Sequence, residues 1–239
     1  MVYQWDWGVL LREPYFGWLL QGIKWTALIS VLAYALALTI GVFVGVLRTL
    51  PSAKARMCGA TYVQTFRSIP LLVQLFLWYF VVPEVLPETA GMWLKRDLPY
   101  PEYWTTAIGL GLFMAARIAE QTRAAIAAAG AGMQRAAMSQ GFTPTQIYRY
   151  MLLPVGLRYA LPPFTSEFLN TVKNSSLALT IGMLELTGQS RQIEAYTFRG
   201  IEAFTAATLV YVLVSLVVIG ASRALENTLH IPGTYSGRT

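Results

Sequence analysis

Charged and amide side chains fall in two places where the surrounding residues are apolar. Arg117, Glu120 and Arg123 lie within AARIAEQTR, and Glu167, Asn170, Lys173 and Asn174 lie within TSEFLNTVKNSS. The first three recur at every third position, which on a helix lays them along one face. A charge at membrane depth is costly unless it pairs or lines a wet cavity, so two readings fit: a structural ion triad, or a polar lining past which a solute moves. The second group admits the same choice, between an internal network of Glu167, Asn170 and Lys173 and the wall of a pathway. Neither group is catalytic machinery. His230 is the only histidine and Cys58 the only cysteine. That argues against histidine-based catalysis, a multi-histidine or thiolate metal site and an internal disulfide framework. No GxxxxGK[ST] occurs, so the chain cannot build the phosphate cradle for ATP hydrolysis, and no GxGxxG opens a helix after a strand. The expectation is no catalytic residue, no metal ligand and no cofactor bound by this chain.

The elements that must position these groups are membrane helices. Of 239 residues 55% are hydrophobic and 13% charged, with mean hydropathy +0.48, a balance that identifies an integral membrane protein. The net charge of +6 is scattered between apolar runs rather than gathered into a basic stripe with stacking aromatics, so nucleic acid is not an expected partner. Residues 1–22 lack the basic and apolar regions of a cleaved signal peptide, and Trp5, Trp7, Tyr15, Phe16 and Trp18 suggest a segment at the membrane interface. Between Lys24 and Arg48 lie 23 uncharged residues, roughly 34 Å of helix and enough to cross the hydrocarbon core. Gly41 and Gly45 there stand in GxxxG spacing, which can admit a close neighbour. Five spans are predicted, at about 23–48, 62–83, 103–130, 164–184 and 203–223. Pro70 should bend the second, and residues 84–102 and 185–202 read as outer segments. Hydropathy alone misses the fourth span, because Glu167, Asn170, Lys173 and Asn174 interrupt every long apolar run.

Between the third and fourth spans lies a basic interruption, residues 134–154, QRAAMSQGFTPTQIYRYMLLP. Arg135-Ala136-Ala137 reads as the start of a short helix that Gly141 can end, since glycine takes the left-handed cap without steric cost. Thr143 as N-cap, Pro144 at the first helical position and Gln146 in a capping box start a second helix, which Pro154 should close. Phe142, Ile147, Tyr148 and Met151 are then its apolar teeth.

That spacing, Arg135-Ala136-Ala137-x3-Gly141-x9-Met151-x-Leu153-Pro154, resembles the E-A-A-x3-G-x9-I-x-L-P coupling loop of ABC importer permeases, with Arg135 in place of the acid and Met151 in place of isoleucine. FRSIPLLVQ and LPPFTSEFLNTVKNSSLA are similar to segments of the polar amino acid subgroup, and the likeness to glutamate/aspartate importer permeases runs from WDWG to HIPG. The resemblance implies an all-α, type I ABC importer-like fold. It implies that Arg135, Ala136, Ala137, Gly141, Phe142, Thr143, Met151, Leu153 and Pro154 dock on an ATPase. It also implies that Arg117, Glu120, Arg123, Glu167, Asn170, Lys173 and Asn174 line the pathway. Arg117 stands where many relatives carry an aromatic residue, and its rigid fork would suit a substrate with an extra carboxylate.

The implied partners are an ABC ATPase dimer holding ATP and Mg, a second related permease or another copy of this chain, a periplasmic amino acid binding protein, and the lipid of the bacterial inner membrane. Five spans put the termini on opposite sides. Eight Lys and Arg fall on the proposed inner side against six on the outer, which with the resemblance sets the N-terminus outside and the C-terminus in the cytoplasm. An ion-gradient-driven carrier, with Glu120, Glu167 and Lys173 as relay residues, is the competing expectation.

Overall fold

The computed structural model describes residues 3–228. His230, the HIPG run and Arg238 lie outside the described residues. Every regular element within them is helical. A short 3-10 turn, Trp7–Leu11, precedes α1 (Tyr15–Leu47). Then come α2 (Ala53–Ser68), α3 (Leu71–Phe76), α4 (Val82–Val85), α5 (Glu88–Met92), α6 (Pro101–Ser139), α7 (Pro144–Ile147), α8 (Leu153–Tyr159), α9 (Leu161–Asn174), α10 (Leu186–Thr197) and α11 (Gly200–Thr228).

Among the described residues two helices are long and apolar enough to cross a membrane, α1 and residues Gly200–Ala224 of α11. The pair Ala53–Ser68 and Leu71–Val85, bent by 98° at its break, adds a third if it is one broken span. Helix α1 begins well before residue 23, so the interfacial segment read in residues 1–22 is partly the first turns of this helix. The break between α2 and α3 falls at Ile69-Pro70, where Ile69 is extended (φ −102°, ψ 127°) because the proline ring forbids it the helical region. A bend inside an apolar segment strands carbonyls that water cannot reach. The buried Gln74 amide answers two of them, donating from Nε2 to Phe66 O at 2.7 Å and to Ile69 O at 2.9 Å.

Helices α1 and α6 form the centre, packing Ile29, Ala33 and Ala37 against Leu110, Met114, Ala115 and Ile118. The two glycines of the GxxxG make the approach possible. A Cβ on Gly41 would sit 2.7 Å from Ala115 O, and one on Gly45 would sit 2.5 Å from Thr122 Cβ. Helix α9 joins α1 through Tyr34, whose hydroxyl donates to Phe164 O at 2.8 Å, and joins α11 through Thr165 and Ser222, whose hydroxyls are 2.5 Å apart.

Two expectations need correction. Helix α6 does not stop near residue 130; it runs unbroken to Ser139, so Arg135, Ala136 and Ala137 are its last turns rather than a separate short helix. The alanine-rich run around Gly130 and Gly132 offsets the roughly 1 kcal/mol that each interior glycine costs. Pro154 does not end the second helix. It lies in the first turn of α8, and the π-helical turn Tyr148–Leu152 just before it takes up the lost N–H and the ring's bulk. Residues 185–202, read as an outer segment, are largely helical. Helix α10 buries Leu186, Gln189, Ser190 and Ile193, and Glu185 and Glu202 at either end of this stretch have no exposed surface.

Candidate functional site

Helix α6 carries three charged residues on one face, and the fold divides them between two partners. Arg117 turns to α9, donating from Nε to Glu167 Oε2 at 2.7 Å and from Nη2 to Glu167 Oε1 at 3.1 Å. Glu167 is 2% exposed, whereas the Arg117 side chain is 42% exposed, so one end of the pair is sealed and the other is open. Asn170 Nδ2 adds a longer donor to Glu167 at 3.4 Å. Lys173 is exposed and forms no ion pair with the described residues, so the network reading holds for Glu167 and Asn170 but not for Lys173. Asn174, at the end of α9, is half-buried.

Glu120 faces the other way along α6. Its Oε1 accepts from Arg123 Nε at 3.1 Å and Nη2 at 2.5 Å, while its Oε2 accepts from Arg48 Nη1 at 2.5 Å. Of the two readings of Arg117, Glu120 and Arg123, the ion triad takes a different membership, Arg48, Glu120 and Arg123. Spacing along one helix cannot reveal a partner supplied by another, and Arg48 read only as the cation ending the first span. Counting both clusters with Lys173, four cations (Arg48, Arg117, Arg123, Lys173) stand against two acids (Glu120, Glu167).

At the same end of α6 as Arg48 the chain reverses. Gly141 takes φ +85°; its N–H donates to Met138 O at 3.1 Å, and Phe142 N–H reaches back to Ala137 O at 3.2 Å. This paired closure of a helix end requires a left-handed residue at the glycine position. Thr143 and Gln146 then form the capping box, with Gln146 Oε1 accepting from Thr143 N at 2.9 Å and Thr143 Oγ1 from Gln146 N at 3.4 Å. The bend packs back on the bundle through Ala137, Ile147 and Leu152 against Ile126, with Tyr148, Met151 and Leu153 alongside. Of the apolar teeth, Ile147, Tyr148 and Met151 thus pack on the bundle, while Phe142 is exposed. The exposed side chains of the bend include Arg135, Ala136, Met138, Phe142, Thr143, Thr145, Arg149, Tyr150 and Pro154. A hydrogen bond of 2.6 Å between the Tyr148 and Thr49 hydroxyls ties the bend to the end of α1.

One polar centre escaped the sequence reading. Glu185, the N-cap of α10, accepts from Gly188 N (2.9 Å), Thr187 N (3.0 Å), Tyr211 Oη (3.0 Å) and Thr26 Oγ1 (3.3 Å). It joins α1, α10 and α11 through one fully buried carboxylate.

This all-helical bundle, with paired charges inside and a capped reversal at one end, has the fold of solved type I ABC importer permeases. Over 95% of this chain and the whole of the other, it superposes on an amino acid ABC transporter solved with histidines, at TM-score 0.81 and 24% identity. It likewise superposes on the MetNI methionine ABC transporter in an inward-facing conformation, over 92% of this chain and the whole of the other, at TM-score 0.72 and 22% identity. Residues 37–231 match the binding-protein-dependent transport system inner membrane component family, and the chain belongs to that family. It is 40% identical to the glutamate/aspartate import permease protein GltJ of Escherichia coli K12 over the whole of both chains. To the glutamine transport system permease protein GlnP of the same strain it is 31% identical, over 95% of this chain and 99% of the other. The chain is a membrane-spanning permease component and not an enzyme.

Proposed function

We propose that this chain is a membrane-spanning subunit of an ATP-driven importer of acidic amino acids, glutamate and aspartate. The carrying observation is the Arg117–Glu167 pair, in which Arg117 stays half-open beside a sealed Glu167. A guanidinium held on one edge keeps donors for a second carboxylate, which a dicarboxylic substrate has and glutamine lacks. Full-length similarity to a glutamate/aspartate import permease supports the same substrate class.

In this reading Arg117, Glu120, Arg123, Glu167, Asn170, Lys173 and Asn174 line or brace the pathway. The bend formed by Arg135, Ala136, Ala137, Gly141, Phe142, Thr143, Met151, Leu153 and Pro154 couples it to an ATPase dimer holding ATP and Mg. Some of these residues make the contact and others, such as Met151, hold the bend's shape. A second related permease or another copy of this chain completes the pathway, and a periplasmic binding protein delivers the substrate. The N-terminus lies outside, and the bend and C-terminus face the cytoplasm. Alternating access follows if the bend binds the ATP-closed and open ATPase unequally, since only differential binding shifts a conformational equilibrium.

The test is isolation of the intact assembly and uptake of labelled glutamate into proteoliposomes. The reading requires a co-purifying ATPase and uptake that depends on ATP and binding protein. Uptake that persists without ATP and collapses with an ionophore would replace it with a gradient-driven carrier.

A further inference from the structure

We propose that a cavity beside the bend, separate from the Arg117–Glu167 pair, is a second anion site that binds an acidic amino acid and that its occupancy slows import. The cavity is about 540 Å³, within the range of roughly 300–1,000 Å³ usual for small-molecule sites. Its walls come from three parts of the chain: Arg48 and Thr49 at the end of α1, Arg123 and Gln134 on α6, and Thr145 and Tyr148 on the bend.

The charge of this cavity is unbalanced. Arg48 and Arg123 share the single carboxylate of Glu120, so the cluster keeps one positive charge in excess. The Arg48 side chain is only 15% exposed, and among the described residues only its Nη1 meets an acceptor, which leaves Nε and Nη2 for another. Neither nitrogen is a buried atom lacking a partner, so both reach solvent, and an incoming carboxylate exchanges that water for a charge-assisted hydrogen bond. A free glutamate or aspartate carries one net negative charge at neutral pH and so cancels the excess. Because the bend supplies one wall and α1 another, a molecule seated there braces the bend against the bundle. Any preference for one position of the bend then becomes a coupling between ligand and transport.

This inference rests on the proposed function, and its test keeps the two apart. The complete complex is reconstituted in proteoliposomes preloaded with millimolar glutamate, inorganic phosphate or buffer, in neutral and in anionic lipid. The quantity read is the ratio of buffer-loaded to glutamate-loaded initial uptake, in which changes of absolute rate cancel. The expected ratio is about fivefold, the low end of allosteric coupling, falling to one in Arg48→Gln and in Thr145→Trp, which fills the cavity without removing a charge. A ratio of one in the parent protein, a ratio that survives both variants, equal suppression by phosphate, or suppression that tracks lipid charge instead would each overturn the proposal. Should buffer-loaded vesicles show no uptake, the importer reading fails on its own. The site is then decided by melting the complex in nanodiscs without binding protein, where glutamate must raise Tm saturably in the double variant Arg117→Met, Glu167→Gln but not in Thr145→Trp.

Discussion

Arg117 and Glu167 form a two-point pair across α6 and α9 in which the carboxylate is sealed and the guanidinium is not. Removing the arginine therefore does more than delete a substrate contact, because it strands a buried charge, a loss of about 3–5 kcal/mol when one partner of a buried pair goes. Arg117→Met should lower the yield of assembled complex as well as uptake. The double variant Arg117→Met, Glu167→Gln should restore assembly, measured by size-exclusion chromatography, while glutamate-stimulated ATPase activity stays low. Normal glutamate stimulation in the double variant would assign the pair a purely structural role.

Gly141 reverses the chain with φ +85° and open space where a side chain would sit, so the penalty of replacing it is conformational rather than steric. Gly141→Ala should cost about 1 kcal/mol and leave uptake measurable. Gly141→Pro cannot adopt the positive φ and should uncouple ATP hydrolysis from uptake while the helices stay inserted. The ratio of ATP hydrolysed to glutamate taken up is the readout; an unchanged ratio would remove the bend from coupling.

Gly45 and Gly132 lie in helices but have opposite surroundings. A Cβ on Gly45 would meet Thr122 Cβ at 2.5 Å and Ala119 O at 2.8 Å, whereas one on Gly132 would meet nothing within 4 Å. Gly45→Val should force α1 from α6 at a cost of about 1–3 kcal/mol or more, read as lost thermal stability in detergent. Gly132→Ala should be neutral or slightly stabilising, since alanine is the better helix former. Equal tolerance at both positions would contradict the α1–α6 packing.

Glu185 joins three helices through four donors, two of them the side chains of Thr26 and Tyr211. Glu185→Ala takes the acceptor from the Thr187 and Gly188 amides and the Thr26 hydroxyl, while Tyr211 keeps Thr187 Oγ1 at 3.2 Å, and should cost about 2 kcal/mol or more, against about 1 kcal/mol for Tyr211→Phe. A thermal melt of the purified complex compares the two, and a smaller loss in Glu185→Ala than in Tyr211→Phe would refute the hub.

Local chemistry was legible in the residues alone. The closure at Gly141, the capping box of Thr143 and Gln146, the break at Pro70 and the close approach at Gly41 and Gly45 depend on backbone preferences and side-chain size within a few positions. Apolar length likewise marked α1 and α11, because the bilayer demands it of each helix separately. Only the tertiary structure decided the partners. Arg117, Glu120 and Arg123 are neighbours by spacing, yet Arg117 pairs with Glu167 and Glu120 draws in Arg48, from segments 50 and 72 residues away along the chain. The same limit hid Glu185 and turned Ile147, Tyr148 and Met151 inward. An ion pair or a buried face depends on which surface another helix brings near, and the order of residues along one helix does not contain that surface.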